Sequence, residues 1–240
     1  MDKKLVIIPT YNEKENVEKI IGAVMVLEGD FEVLIIDDGS PDGTAAIVKG
    51  LMKSNDRLHI IEREGKLGLG TAYITGFKWA LEHSYDYVFE MDADFSHDPA
   101  DLQRLLKACS EGGAGVSVGS RYCKGVNVVN WPMGRVLMSW GASRYVRMVL
   151  AIPVNDCTAG FVCYKAEALR KIDLDAIKMK GYGLQIEMKY TAWRLGIKIS
   201  EVSVIFRDRT EGKSKMSSGI FGEAFWGVIA LKFRKIKAAA

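Results

Sequence analysis

The chain has 240 residues, 48% of them hydrophobic and 26% charged, with a formal net charge of +3. Such a chain buries a sizeable core and is read as one large domain. Its four cysteines form no Cys-x-x-Cys pair and its three histidines are scattered, which argues against a zinc site or a disulfide framework and for a reducing, cytoplasmic setting.

In chain order, "LVIIP" predicts a strand whose apolar run is too short for a signal peptide or a membrane span. Asn12 is expected to cap a helix with Val17, Ile20, Ile21, Val24 and Met25 on one face and Glu13 and Glu15 in its first turn. "VLIIDD" predicts a second strand, "GSPDGT" a turn, Thr44 to Met52 a helix and "LHIIE" a third strand. After "GKLGLG" comes a helix with Ala72, Tyr73, Gly76, Phe77, Ala80 and Leu81 on one face. "YVFEMDA" and "GVSVGS" predict strands on either side of a helix carrying Leu102, Leu105 and Leu106. Apolar strands alternating with amphipathic helices predict an α/β fold with a mostly parallel, Rossmann-like sheet covered by helices on both sides.

Ligands of such sheets bind at the carboxyl ends of the strands. The clusters "PTYNE", "DDGSPDG" and "DADFSHD" each fall at such an end, so Tyr11, Glu13, Asp38, Asp92 and Asp94 are expected on one rim. Asp98-Pro99 reads as the cap of the following helix, which leaves Asp92 and Asp94 to explain. Side chains two apart in an extended segment point the same way, and two carboxylates so placed repel unless a cation lies between them. Mg²⁺ or Mn²⁺, which take oxygen ligands and share them with phosphate, is the expected ion.

The charge is unevenly spread. Gly112 to Asn155 contains no acidic residue but carries Arg121, Lys124, Arg135, Arg144 and Arg147; Arg207 to Lys237 holds eight basic residues against three acidic ones. This half is built to meet anions. The polar "DRTEGKSKMSSG" is expected to act as a mobile phosphate lid through Arg209, Lys213 and Lys215. "GRVLMSWGASRYVRMVL" is either a packing helix or a surface one that presents Arg144 and Arg147 to headgroups. In "GIFGEAFWGVIALKFRKIK" an apolar stretch stands beside Lys232, Arg234, Lys235 and Lys237, a composition suited to a membrane surface. "GYGLQIEMKYTAWRLG" predicts a helix whose Gln185 and Glu187 serve the scaffold or the sugar.

Taken together, "VIIPTYNEKENV", "VLIIDDGSPDGT", "REGKLGLGTAY", "MDADFSHDP", "VGSRY" and "GKSKM" resemble the dolichol-phosphate mannosyltransferases, within the inverting family 2 glycosyltransferases of GT-A fold. The resemblance runs from Leu5 to about Phe233. It implies transfer of mannose from GDP-mannose, with inversion and a divalent metal, to a dolichyl or polyprenyl phosphate. The expected location is peripheral, on the cytoplasmic face of a membrane, with a separate membrane subunit as a further candidate partner and no nucleic acid. It implies that Pro9, Tyr11, Glu13, Ile36 and Asp38 hold the nucleoside, and that Asp92, Ala93 and Asp94 lie at the diphosphate, with Asp92 and Asp94 on the metal. Arg121, Arg209 and Lys215 become the phosphate-binding cations, Arg121 joining the two aspartates as catalytic, and Arg135 with Ser139 approach the acceptor phosphate. Residues 1–218 are expected to form the catalytic domain and 219–237 an amphipathic basic, membrane-facing segment, with 238–240 a candidate expression remnant.

Two positions depart from the family pattern: Ser96 stands where some relatives have Gln as a third metal ligand, and Val162 replaces a common Arg. A UDP-glucose or other hexosyl transferase, and a catalytically silent nucleotide-sugar-binding protein, remain as alternatives. A receiver domain, a nicotinamide dehydrogenase and a processive synthase fit poorly, the last because its Gln-x-x-Arg-Trp is missing.

Overall fold

The computed structural model describes residues 2–179, 181–208 and 219–239. The first half alternates strand and helix: β1 (Lys4–Thr10), α1 (Val17–Met25), β2 (Phe31–Asp37), α2 (Thr44–Met52), β3 (Leu58–Glu62), α3 (Leu69–Glu82), β4 (Tyr87–Glu90), α4 (Asp101–Ser110) and β5 (Val116–Ser120). Then follow β6 (Val128–Val129), α5 (Met133–Leu150), β7 (Val162–Lys165), α6 (Ala166–Lys171), α7 (Tyr182–Arg194), β8 (Ile199–Ser203), β9 (Phe206–Arg207) and α8 (Gly219–Phe233).

Seven strands form the main sheet in the order β3-β2-β1-β4-β7-β5-β8. All neighbours run parallel except β7, which is antiparallel to both β4 and β5. The mixed α/β architecture and mostly parallel sheet agree with the sequence expectation. Because helices cover both faces, β1 is an unbroken apolar run with Leu5 to Ile8 fully buried. The pleat sorts them: Leu5 and Ile7 face α3 with Leu34, Ile36, Tyr73 and Phe77. Val6 and Ile8 face α1, α2 and α4 with Val33, Ile35, Val48 and Leu102. A third cluster joins α5, α7 and α8 through Val146, Leu150, Ile186, Tyr190, Val228 and Leu231.

α2 spans the predicted Thr44–Met52. Three local expectations are corrected. Asn12 does not cap α1: it has φ +56° and its N–H donates to Ser40 Oγ at 2.9 Å, while the helix begins at Val17 after a turn closed on the Glu13 carbonyl. Asp98 accepts from the N–H of Ala100 at 3.0 Å, but α4 itself starts only at Asp101, so the carboxylate caps the turn that leads into the helix. β4 ends at Glu90, and Ala93 and Asp94 belong to a turn in which Phe95 has φ +57°. Asp92 and Asp94 therefore lie beyond the strand, Asp94 within the turn, rather than on a continued pleat.

Candidate active site

The carboxyl ends of β1, β2, β4 and β5 open on the same edge of the sheet, because these strands all run in one direction. Strand order reverses between β1 and β4, the crevice where open α/β sheets take ligands. Tyr11 follows β1, Asp38 follows β2, Asp92 and Asp94 follow β4, and Arg121 follows β5, so the three acidic and polar clusters and one cation share this rim.

Asp37, which the sequence reading left without a role, holds the first two loops. Its Oδ1 accepts from Thr10 Oγ1 at 2.8 Å and Ser40 Oγ at 2.6 Å, and its Oδ2 accepts from Ser40 N at 2.9 Å. The loops are joined further by Glu13 N to Thr44 Oγ1 at 3.0 Å and Lys14 N to Asp42 Oδ2 at 3.1 Å. Burial works against the ionised Asp42, but the Thr44 and Lys14 bonds outweigh it and hold its pKa below the ordinary value. Pro9 and Ile36 pair across β1 and β2 beneath these loops. Lys66 lies 4.8 Å over the ring of Tyr11.

Asp38 is held by Arg63, whose Nε donates to Oδ1 at 2.6 Å, while Gly68 N reaches Oδ2 at 3.2 Å. Arg63 also donates to Thr71 Oγ1 at 2.7 Å and to the Gly68 carbonyl at 3.1 Å. Arg63 was invisible as a site residue in the sequence, where it is one cation among many.

Tyr73 OH donates to Asp92 Oδ1 at 3.4 Å. Burial, with the nearby Asp92 and Glu90 carboxylates, pushes its pKa well up, so the phenol stays a donor. Asp94 and Ala93 are buried, and Asp94 Oδ1 accepts from Ser96 N at 3.0 Å. Two hard oxygen ligands, oriented by Tyr73 and the Ser96 amide, fit Mg²⁺ or Mn²⁺. Among the described residues no group of three His, Cys, Asp or Glu side chains could hold a metal ion by itself. The other positions of the shell would fall to phosphate and water. His97, stacked 4.7 Å from Phe161, is kept neutral, its pKa pushed down to about 4 by burial and by Arg121.

Arg121 is gripped by Asp156, a residue not singled out in the sequence. Asp156 Oδ2 accepts from the backbone N–H of Arg121 at 2.9 Å and from its Nε at 2.7 Å, and Oδ1 accepts from its NH2 at 2.7 Å. Thr158 Oγ1 accepts from the same NH2 at 2.9 Å. Arg135 is paired at 2.8 Å with Asp208, just after β9, and Ser139 Oγ accepts at 2.8 Å from the OH of Tyr122, just after β5. Arg209, Lys213 and Lys215 lie outside the described residues.

Other expectations are redistributed. Gln185 bridges two fully buried charged side chains: its Nε2 donates to Glu90 at 2.7 Å, and its Oε1 accepts from Lys189 at 3.2 Å. Glu187 accepts from the N–H groups of Lys178 and Met179 and from Arg234, so both helix residues serve the scaffold. Arg234 is thereby an internal partner rather than a free headgroup ligand, and Arg147 donates to Asn155 at 2.7 Å. Val162 is a fully buried β7 residue between β4 and β5, where an apolar side chain suits the sheet.

The sheet, its reversal point and the carboxylate pair define a GT-A-like α/β fold with an acidic site at its strand ends. The model for "Glycosyl transferase family 2" matches residues 5–173, and the chain belongs to that family. It is 46% identical to the undecaprenyl-phosphate mannosyltransferase of Micrococcus luteus, over 94% of each chain. It is 44% identical to the polyprenol monophosphomannose synthase of Mycolicibacterium smegmatis, over 94% of this chain and 87% of the other. Among solved structures, glucosyl-3-phosphoglycerate synthase from Mycobacterium tuberculosis, in complex with Mn²⁺, UDP and glucosyl-3-phosphoglycerate, superposes with a TM-score of 0.68. At 21% identity, over 96% of this chain and 78% of the other, that likeness shows the fold.

Proposed function

We propose that this glycosyltransferase moves mannose from GDP-mannose to the phosphate of a dolichyl or other polyprenyl lipid, with inversion, releasing GDP. The observation that carries this reading is the single rim of Tyr11, Asp38, Asp92, Asp94 and Arg121 in a chain 44% identical to a polyprenol monophosphomannose synthase. Pro9, Tyr11, Glu13, Ile36 and Asp38 take the nucleoside. Asp92 and Asp94 hold Mg²⁺ or Mn²⁺, with Ala93 between them at the diphosphate. When bound, such an ion would supply positive charge to the leaving diphosphate.

The protein's own part is electrostatic and positional. Negative charge grows on the diphosphate as the glycosidic bond breaks, and Arg121, already oriented by Asp156, stabilises it without reorganising. Arg209 and Lys215 add cations on the donor side. Arg135 and Ser139 hold the acceptor phosphate on the opposite face of the sugar. A phosphate monoester with a second pKa of about 6 is mostly dianionic near neutrality, so the attacking oxygen needs no strong general base.

The lipid would be met at a membrane surface. No helix of the described residues is long and apolar enough to cross a membrane. On α5, Met133, Leu137, Trp140 and Met148 are exposed; on α8, so are Phe225, Trp226 and Phe233. Tyr145 joins the two helices by stacking on Phe225 at 4.7 Å. Arg144, 5.6 Å over Trp140, and Lys232, Lys235 and Lys237 supply basic groups near this apolar surface, which suits peripheral attachment at the cytoplasmic face, alone or beside a membrane subunit.

The test is transfer of radiolabelled mannose from GDP-mannose to a short polyprenyl phosphate with Mn²⁺ or Mg²⁺, in wild type and Asp94→Asn. Mannosyl-lipid that needs the metal and falls by about 100-fold or more in the variant is expected. Product from UDP-glucose alone would move the donor; no product from either donor would sink the proposal.

A further inference from the structure

Trp131 lies under two arginines at once. The guanidinium carbon of Arg135 is 4.1 Å from the Trp131 ring centroid and that of Arg121 is 5.7 Å from it. Indole is the strongest neutral ring partner for a cation, and guanidinium groups are the commonest to use it. Under the function proposed above, on which this inference rests, Arg121 serves the leaving diphosphate and Arg135 the incoming phosphate. One ring therefore joins the two ends of the transfer.

The rest of the surroundings holds that ring by its faces and edges. The short parallel pair β6 and β9 brings Phe206 to 5.0 Å from Trp131 at 67° and to 5.6 Å from the Arg121 guanidinium. Buried indole N–H groups usually find an acceptor. Trp131 Nε1 is buried and has no hydrogen-bond partner among the described residues. Among the described residues no hydrogen bond anchors the indole, and its ring contacts with Phe206 and the two guanidinium groups hold it in place. Each arginine has its own carboxylate, Asp156 for Arg121 and Asp208 for Arg135, but these lie on separate parts of the chain. Those carboxylates offset the repulsion between the two cations, and Trp131 is the side chain that packs against both guanidinium groups.

We propose that Trp131 is a positioning residue that sets the distance between the donor-side and acceptor-side arginines, so that two phosphate groups can be held at once in register for transfer. Its contribution belongs to the ternary complex more than to either ligand alone. Because its N–H has no partner among the described residues, Trp131→Phe removes no hydrogen bond seen there and keeps an aromatic face, whereas Trp131→Leu, nearer to Phe than to Trp in size, stays apolar and removes the face.

The experiment compares wild type, Trp131→Phe and Trp131→Leu by steady-state transfer from GDP-mannose to a short polyprenyl phosphate. It adds calorimetric binding of GDP alone and of the polyprenyl phosphate with GDP present, and thermal denaturation. Two lost cation–ring contacts predict that Trp131→Leu lowers kcat/KM for the acceptor by roughly 10- to 100-fold. GDP affinity should change less than about 3-fold, since Asp156 still holds Arg121, and Trp131→Phe should recover most of the loss. Acceptor binding and kcat/KM in Trp131→Leu equal to wild type would overturn the assignment. So would a parallel fall in GDP affinity and thermal stability, or a Trp131→Phe as impaired as Trp131→Leu. If wild type makes no mannosyl-lipid yet acceptor binding weakens selectively in Trp131→Leu, the positioning role stands and the choice of reaction fails.

Discussion

Asp156 holds Arg121 by three of its N–H groups, one on the backbone and two on the side chain, with both partners almost completely out of water. The grip is reinforced from behind: Glu201 accepts from the N–H groups of Asn155 at 2.8 Å and Asp156 at 3.0 Å. Removing one member of such a pair leaves a buried charge uncompensated, at a cost of about 3–5 kcal/mol. Asp156→Ala and Arg121→Ala should each lower stability by an amount in that range. The double variant should lose clearly less than the sum, as read from urea unfolding of all four proteins in a double-mutant cycle; simple additivity would show that the pair is not coupled.

The same pair gives a pH dependence. Burial alone would raise the pKa of Asp156, but the Arg121 guanidinium and the N–H bonds outweigh it and hold it below its ordinary value of 3.8. The unfolded chain then binds the proton more readily than the folded one, so stability rises with pH. The contribution is complete above the unfolded value of about 3.9 and disappears as pH falls through the lower folded value. Acid titration of stability should therefore be steeper in wild type than in Asp156→Asn below about pH 4. Parallel curves would remove Asp156 from the account.

Gln185 lies between two fully buried ionisable side chains, Glu90 and Lys189, and hydrogen-bonds to both. Burial pushes the Glu90 carboxyl up and the Lys189 ammonium down, and the amide serves both, donating to one and accepting from the other. Gln185→Leu keeps the volume and strands Glu90, whose Oε1 already has no partner among the described residues. A loss of about 1–3 kcal/mol in thermal or chemical denaturation is expected. A variant as stable as wild type would mean that another group takes over the amide's role.

Gly76 lets α3 lie close on β1. A Cβ there would come within 2.8 Å of both Ile7 Cδ1 and Cγ2. Alanine gains about 1 kcal/mol in helix propensity, but overpacking a full core costs about 1–3 kcal/mol. Gly76→Ala should thus be neutral to destabilising by up to about 2 kcal/mol, the difference of those terms. Pairing it with Ile7→Val should recover part of the loss, and denaturant midpoints for the single and double variants check this.

Arg234 ties the chain beyond α8 to the centre of α7. Its guanidinium meets the fully buried Glu187 carboxylate and donates to the Ala176 carbonyl at 3.3 Å. Glu187 keeps its Lys178 and Met179 donors if Arg234 is lost. Arg234→Ala should accordingly loosen α8 more than the sheet. Hydrogen exchange should quicken in α8 while the β1 and β2 amides stay protected; uniform acceleration would indicate global destabilisation instead.

Much of the fold was legible in the residues. β1, β2 and β3 are short apolar runs bounded by turn chemistry, and α2 starts after Gly43, at φ +92°, and runs to Met52 as expected. Asp92 and Asp94 stood out because paired acids at a strand end need a reason, and the resemblance pointed to Arg121, Arg135 and Ser139. Asn12 misled because an Asx residue suits a left-handed loop position as well as a cap, and only the contact with Ser40 decides between them. β7 was missed because its four residues have no periodic signature. Its place between β4 and β5 depends on pairing with strands more than 40 residues away.

The sequence by itself determined the layered α/β class, the acidic rim and the basic second half, since these follow from local periodicity, strand ends and charge. Only the tertiary structure decided that Asp156 grips Arg121, that Arg63 holds Asp38, that Arg234 turns inward to Glu187 and that Trp131 lies beneath two arginines. Each of these joins side chains from separate loops or helices. A charged residue reads alike in a sequence whether it meets solvent, a ligand or a buried partner, and its desolvation and pairing are settled only when the chain has packed.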